Sequence, residues 1–200
     1  MHAQYWHRID HKDPRALVMA DRHYSRKSPG TPEFIPAGHK IVLMHFAEDG
    51  TPTALWVSHR PAPSANLTRP RFDGLDVWDC SMFRVEQRTV LASDLIREAV
   101  AITKGLWAPL PADGFYTTIN PRKVAPIKRR GRDVWGYCYI KAGWRVEDVR
   151  TVARDLIILT LPFADLAAVD PVVAPLSMPP FGMAWRRWAR AADDDQMVLL

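Results

Sequence analysis

The feature that most constrains this chain is a strand-like run that leads directly into one long amphipathic helix. Residues 77–85 read as a strand, and residues 91–107 read as a helix with one apolar face. That face is formed by Leu91, Leu95, Ile96, Ala99 and Ile102. A helix with one apolar stripe must cover another apolar surface, so a sheet is expected beneath it.

The remaining elements alternate in a way that extends this sheet. Strand-like runs occupy residues 3–9, 40–46, 53–58, 114–120, 154–161 and, as a short aromatic run, 136–141. A short helix runs from Pro14 to about residue 22. The turn signal at residues 48–52 makes the second and third runs a hairpin. This order predicts an α/β fold whose mixed sheet has helices packed on both faces.

The bulk composition predicts one domain of ordinary globular type. The chain has 200 residues, is 48% hydrophobic and contains no apolar run of the roughly 20 residues that span a bilayer. We expect a cytoplasmic protein with no membrane partner. Cys80 and Cys138 fall in separate predicted strands without CxxC spacing, so neither a disulfide framework nor a zinc site is expected.

Positive charge is concentrated in one stretch. The formal net charge is +5, and basic residues far outnumber acidic ones between residues 120 and 154. We expect this stretch to face a polyanion, with nucleic-acid contacts from Arg122, Lys123, Lys128, Arg129, Arg130 and Arg132. A second cluster at residues 185–190 mixes tryptophan with arginine, which suits either stacking on bases or a terminal helix packed on the body.

The element order resembles the GNAT acyltransferases, and a local motif strengthens the likeness. Residues 139–145 resemble that family's tyrosine and glycine-aromatic signature, with Gly143 making the turn. The resemblance implies a mostly antiparallel central sheet and an acyl-CoA donor, acetyl-CoA in most members. It implies a donor site at the start of the long helix, formed by Gln87, Arg88, Thr89 and Ala92. Val90 stands where the family motif has glycine, and a β-branched residue there predicts that the donor is bound differently from the usual pyrophosphate contact.

A narrower resemblance comes from the triplet His23-Tyr24-Ser25 together with residues 83–86. These look like the Mom family of phage proteins, which modify adenine in DNA as an anti-restriction device. The resemblance implies double-stranded DNA as partner and transfer of an acyl-derived group to the N6 amine of adenine. It also implies iron, with His23 and Tyr24 as ligands, whereas histidine spacing alone predicts no metal.

The same residue types suit the chemistry of group transfer to an amine. His23 is a candidate general base, Tyr24 could donate a proton or stack on a flipped base, and Ser25 could orient either one. The alternative is that all three close the first helix. Tyr139 is the candidate acid for a departing thiolate, or else packs against the sheet.

Two further positions lie on strands that approach the expected cleft. Strand alternation places Arg84 and Glu86 on one face with Cys80 and Met82, where they either pair structurally or line the cleft as anion contact and base. Asn120 ends the fifth strand and could bond an adenine edge, although Asn-Pro is also a turn signal.

We therefore expect a catalytic domain over residues 1–162 and a Pro-rich extension over 163–200 with a short Trp/Arg helix. The preferred function is Mom-like base modification. The alternatives are a conventional N-acetyltransferase of a small amine, protein or RNA, and a non-catalytic nucleic-acid-binding domain. The extension could pack on the sheet, form a homodimer contact or bind nucleic acid.

Overall fold

A seven-stranded sheet organises the protein. The computed structural model describes residues 2–35, 37–61 and 75–176. The sheet has the strand order β1-β2-β3-β4-β5-β9-β8, and every neighbouring pair except β4 and β5 is antiparallel. The strands are β1 His7–Ile9, β2 Gly38–Phe46, β3 Pro52–Pro61, β4 Trp78–Val85, β5 Phe115–Ile119, β6 Ile127–Arg129, β7 Arg132–Val134, β8 Arg145–Arg150 and β9 Ile157–Leu161. The helices are α1 Pro14–Asp21, α2 Ala92–Leu106, α3 Tyr137–Lys141 and α4 Phe163–Ala168.

The central strands are apolar on both faces because each face carries its own helix. In β3, Trp56 packs in the cluster that contains α2, whereas Leu55 and Val57 pack in the cluster that contains α1. β2 alternates in the same way, with Leu43 toward α2 and Met44 toward α1. The predicted mixed, mostly antiparallel sheet with helices on both faces is confirmed.

The two main helices begin and end close to where the sequence predicted. Asp13 caps α1 by accepting a hydrogen bond from the Arg15 backbone, and Pro14 occupies the first helical position. α2 buries Leu95, Ile96, Ala99 and Ile102 as expected. Leu91 is the exception: it precedes the first turn and its side chain is 70% exposed.

β4 contains a β-bulge, and its side chains therefore point to different faces from those that the sequence predicted. Val57 of β3 pairs with Met82 while the next residue, Ser58, pairs with Cys80, so Ser81 is an extra residue. Cys80 consequently packs with the α2 cluster and Met82 with the α1 cluster. The prediction that Cys80 and Met82 share a face with Arg84 was wrong because uninterrupted alternation assumed a regular strand.

The junction between β4 and β5 is short. These parallel strands pair at two positions, Trp78 with Phe115 and Asp79 with Tyr116. The hydroxyl of Thr117 then donates to the Cys80 carbonyl at 2.9 Å, in the place of a further backbone bond. Beyond that point the two strands line opposite parts of an open cleft, as expected at the carboxyl ends of parallel strands.

Several elements on the C-terminal side differ from the sequence-based expectation. Cys138 lies in helix α3 and not in a strand, because Gly136 adopts a left-handed conformation (φ 65°) that starts a helical turn. β6, β7, β8 and α4 were not predicted. The final strand begins at Ile157, three residues later than expected.

The division of the chain at residue 162 stays a prediction. Within its second part, Leu166 of α4 is fully buried against the core, and residues 173–175 hydrogen-bond with the segment that contains β1. The Trp/Arg cluster at residues 185–190 lies outside the described residues. Among the described residues, no helix combines the length and apolarity that crossing a bilayer requires.

Candidate functional site

An open cleft of about 2130 Å³ lies where β4 and β5 separate. It is bounded by the loop after α1, the first residues of α2, the end of β5, the β6–β7 hairpin and α3. Typical single-ligand pockets hold about 300–1,000 Å³. The cleft is therefore large enough for two ligands side by side.

His23 and Ser25 form a directly bonded pair on the α1 side of this cleft. The Nδ1 atom of His23 lies 2.7 Å from the Ser25 hydroxyl oxygen, and the Ser25 backbone N–H donates to the same nitrogen at 3.3 Å. Nδ1 is thus the unprotonated nitrogen, and the ring proton is on Nε2. The Phe83 backbone raises the pKa of His23, but this effect is smaller than the opposing effects of burial and of Arg84.

The environment keeps the His23 ring neutral. Burial is the main cause, since its exposed fraction is 9%, and the Arg84 guanidinium adds to it; together they lower the pKa of His23 from 6.5 to about 4. At neutral pH the imidazole therefore carries no charge, and its Nδ1 lone pair accepts from the Ser25 hydroxyl.

This pKa shift predicts a loss of stability in mild acid. Between pH 6.5 and 4 the unfolded chain binds a proton at His23 that the folded protein excludes, so acid favours unfolding. The stabilisation is complete above pH 6.5 and lost as the pH falls to about 4. It amounts to about 3 kcal/mol. Urea unfolding at pH 7 and pH 4.5, followed by tryptophan fluorescence, should show a smaller pH dependence in His23→Gln than in the unaltered protein.

The matched control is His39→Gln, which removes an exposed histidine outside the cleft. It should leave the pH dependence unchanged. An equal pH dependence in His23→Gln and the unaltered protein would contradict a neutral, buried His23.

Tyr24 and Asn120 both line the cleft. The Tyr24 ring packs against His23 with centroids 4.4 Å apart, its phenol donates to the Thr118 carbonyl at 3.3 Å, and it is 39% exposed. Burial raises the pKa of the Tyr24 phenol, so it stays protonated. The Asn120 amide oxygen accepts from the Arg122 backbone at 3.0 Å, which fixes that amide and favours the turn interpretation for its oxygen.

Arg84 and Glu86 form an ion network beside the cleft without lining it. Glu86 accepts from Arg84 Nε at 2.8 Å and from Arg22 Nη1 at 2.6 Å, and Arg84 Nη1 donates to the Arg22 carbonyl at 2.6 Å. The network ties the end of α1 to β4. Of the two readings of this pair, the contacts favour the structural one, in which both residues position the loop that contains His23.

Tyr139 lies at the base of the cleft. Its exposed fraction is 6% and its hydroxyl is 3.4 Å from the Cys80 sulfur. Burial raises the pKa of Tyr139 well above its usual value and raises that of the Cys80 thiol as well. Both groups are protonated at neutral pH. The raised pKa makes Tyr139 a weaker acid than an ordinary tyrosine, which favours packing and hydrogen-bond donation over proton transfer, and it leaves Cys80 a poor nucleophile.

The start of α2 borders the cleft with backbone N–H groups. Leu91 occupies the N-cap position and makes no side-chain cap bond to the first turn. The predicted donor residues Arg88, Thr89 and Ala92 line the cleft. Gln87 is exposed but is not part of the lining. Val90 packs against the α2 core cluster without a positive φ, so this turn needs no glycine there.

The predicted nucleic-acid residues are all exposed. Lys128, Arg129 and Arg132 lie on the β6–β7 hairpin, whose turn at Arg130 and Gly131 has positive φ at both positions, 49° and 75°. Arg129 borders the cleft and packs over the Tyr137 ring at 4.5 Å. Lys128 pairs with Asp133 at 2.7 Å.

Two cleft residues were missed by the sequence interpretation. Ser81, the bulge residue, donates to Asp79 at 3.2 Å, and both side chains line the cleft. No local pattern marks a bulge, because it depends on the partner strand. Asp79 follows Trp78 in a run that reads as an ordinary strand.

The residues proposed as iron ligands do not fit a metal in this arrangement. Nδ1 of His23 accepts from Ser25, and the Tyr24 phenol donates to the Thr118 carbonyl. Residues 2–35, 37–61 and 75–176 contain no group of three or more histidine, cysteine or carboxylate side chains that could hold a metal ion.

Comparisons with known proteins find solved structures that resemble this one but no protein with a matching sequence. No family model and no curated protein matches the chain. A chimera of the Vibrio cholerae spermidine N-acetyltransferase SpeG with hSSAT has a TM-score of 0.46 at 10% identity, over 82% of this chain and 97% of its own. A SpeG point mutant has a TM-score of 0.46 at 11% identity, over 82% of this chain and 98% of its own.

A third structure, the V. cholerae spermidine N-acetyltransferase in complex with CoA and spermine, has a TM-score of 0.41 at 12% identity, over 78% of this chain and 88% of its own. All three neighbours have the GNAT fold, and none is a Mom protein. At such identities the likeness says nothing of a substrate.

Proposed function

We propose that this protein transfers an acyl-derived group from a CoA thioester to an amine of a nucleic-acid base, the N6 amine of adenine in DNA. The observation that carries the proposal is a neutral imidazole bonded to an exposed hydroxyl inside a large cleft with a cationic border. The imidazole can accept a proton, the cleft has room for both donor and acceptor, and the cationic border attracts a polyanion.

The charge of the border favours an anionic substrate. Seven cationic side chains line the cleft: Arg26, Lys27, Lys40, Arg88, Arg129, Lys141 and Arg154. The acidic side chains in that lining are Glu33 and Asp79. Such a field raises the local concentration of phosphates and repels polycations.

The cleft has the properties that an extruded base requires. A duplex base must leave the stack before its amine can react, and it is then held by aromatic and polar groups. Tyr24 offers a half-exposed ring at the cleft beside His23. An exocyclic amine is a weak nucleophile that must lose a proton during transfer, and Nδ1 of His23 is a neutral acceptor for it.

The donor would lie along the opening between β4 and β5, with its phosphates near the start of α2. The backbone N–H groups of that first turn and the Arg88 side chain form an anion-binding end. A CoA thioester supplies the activated acyl carbon when bound. Tyr139, protonated and adjacent to the opening, is placed to donate a hydrogen bond to a departing thiolate.

A second candidate is N-acetylation of a small amine. It shares the donor half of the site, and it is the activity in the names of the three similar structures. A polyamine would meet seven cations at the cleft, so the acceptor in this case would be neutral or anionic.

The test is mass spectrometry of nucleosides from plasmid DNA. The DNA is taken from cells that express the unaltered full chain, the His23→Ala variant or the His39→Ala variant. We expect a heavier deoxyadenosine with the unaltered protein and with His39→Ala. His23→Ala should lower its yield roughly 100-fold or more, because a general base contributes about 10²–10⁴ in rate.

Other outcomes separate the rival functions. Unmodified DNA together with acetyl-CoA turnover on small amines would establish the second candidate. Unmodified DNA, no acetyl-CoA turnover and salt-dependent DNA affinity would instead indicate a binding domain without catalysis.

A further inference from the structure

We propose that Ser25 is a nucleophile that carries the acyl group as an ester between donor and acceptor, with His23 as its base. This inference rests on the proposed acyl transfer and adds a covalent step to it. The supporting geometry has three parts: a nucleophile bonded to a base, a base packed against an aromatic ring, and rigid support on both sides.

The hydrogen-bond pattern fixes the direction of proton transfer. The Ser25 backbone N–H donates to Nδ1 of His23, so that nitrogen is an acceptor and the Ser25 hydroxyl donates to it at 2.7 Å. The Tyr24 ring packs against the imidazole with centroids 4.4 Å apart, which restricts rotation of the base.

Ser25 and His23 differ in exposure as a nucleophile and its base should, with the nucleophile open to substrate and the base protected from water. Ser25 is exposed and lines the cleft, whereas His23 is buried behind it. A substrate in the cleft meets the hydroxyl oxygen first, and water has little access to the imidazole. Tyr24 is a poorer candidate for the nucleophile, because its phenol donates to the Thr118 carbonyl and not to a base.

Ion pairs hold the loop on both sides of the pair. On the N-terminal side of His23, Arg22 forms an ion pair with Glu86 at 2.6 Å. On the C-terminal side of Ser25, Arg26 forms an ion pair with Asp21 at 2.6 Å and donates to the Glu33 carbonyl at 2.9 Å. Asp21 also accepts from the Gly30 backbone at 2.8 Å. The positions of His23 and Ser25 are thus set before a substrate binds.

The thiols are weaker candidates for a covalent carrier. Burial raises the pKa of Cys80 and of Cys138, so neither forms a thiolate at neutral pH. Cys80 is also buried against Tyr139. Ser25 differs because its oxygen is exposed and its base is already in contact.

The first step forms the ester. The Ser25 oxygen attacks the thioester carbonyl while its proton moves to Nδ1 of His23, the C–O bond forms and the C–S bond breaks. The proton then passes from His23 to the departing thiolate, giving free CoA and acyl-Ser25. No oxidant or reductant is needed.

The second step releases the product. The base amine attacks the ester carbonyl, a C–N bond forms and the C–O bond to Ser25 breaks. The amine proton moves to Nδ1 and then to the serine oxygen. The enzyme returns to its starting state, and the product is an N-acyl base.

The test uses the full chain and acetyl-CoA without acceptor. Intact and peptide mass spectrometry should show one acetyl group on Ser25, and labelled CoA should exchange into acetyl-CoA. Ser25→Ala should abolish the label and lower exchange roughly 100-fold or more. Ser28→Ala, a change of another exposed serine in the same loop, should retain both. Ser25→Cys should carry the acetyl group as a thioester, which separates loss of the nucleophile from loss of fold.

The outcomes distinguish this inference from the proposed function. Acetylation of Ser25 without DNA modification would keep the covalent step and remove DNA as acceptor. DNA modification with neither ester nor exchange, and with Ser25→Ala fully active, would overturn the covalent step and leave direct transfer. Absence of ester, exchange and DNA modification together would overturn both.

Discussion

Replacing Arg129, Arg130 and Arg132 together with glutamine is expected to weaken binding of duplex DNA by a factor on the order of 10²–10³ near 0.1 M salt. All three are exposed on the β6–β7 hairpin at the border of the cleft. Each phosphate contact contributes about 0.9 to the slope of log affinity against log salt concentration, so the slope should fall by about 3. Fluorescence anisotropy with a labelled duplex at several salt concentrations measures both quantities.

The matched control replaces three exposed cationic residues outside the stretch 120–154 and outside the cleft, Arg8, Lys12 and Arg97. The same loss of net charge at these positions should change the slope by less than about 0.9, the contribution of one phosphate contact. If the two triple variants weaken binding equally, the hairpin has no special part in DNA binding, and the general charge of the protein accounts for it.

Glu86→Ala is expected to lower the free energy of unfolding by about 3 kcal/mol. The substitution leaves Arg22 and Arg84 without the carboxylate that both contact at 2.6 and 2.8 Å. The side chains of Arg22 and Glu86 are 17% and 12% exposed, so solvent replaces the lost partner poorly. Urea unfolding at neutral pH measures the change.

An exposed ion pair provides the comparison. Asp133→Ala removes the partner of Lys128, whose side chain is 74% exposed, and should cost less than about 1 kcal/mol. Equal losses from the two substitutions would show that the network of Glu86 is no more important to stability than a surface pair. Glu86→Gln should lie between them, because it keeps one acceptor oxygen.

The parts of the fold that the sequence predicted are those determined by neighbouring residues. The hairpin of β2 and β3 follows from alternation and a turn signal, and α2 follows from one apolar face. The contact of His23 with Ser25 spans two residues, so the triplet alone pointed to it.

The parts that were missed depend on distant partners or on unusual turns. Arg22 and Glu86 are far apart in sequence, and their contact exists only because α1 packs beside the end of β4. The turn of the β6–β7 hairpin places Arg130, and not the usual asparagine or aspartate, at a positive φ. The aromatic run at α3 was too short for its periodicity to separate helix from strand.

The extra residue Ser81 can be lost without changing the face of the sheet on which any neighbouring side chain lies. Cys80 packs beneath α2 and Met82 packs toward α1, which are the faces that two consecutive residues of a regular strand take. Deleting Ser81 would join these two residues in regular alternation and leave Arg84 in contact with Glu86 and the Arg22 carbonyl. The deletion would remove only the local bend and the hydroxyl that donates to Asp79, so we expect this strand to tolerate the loss of a residue at the bulge.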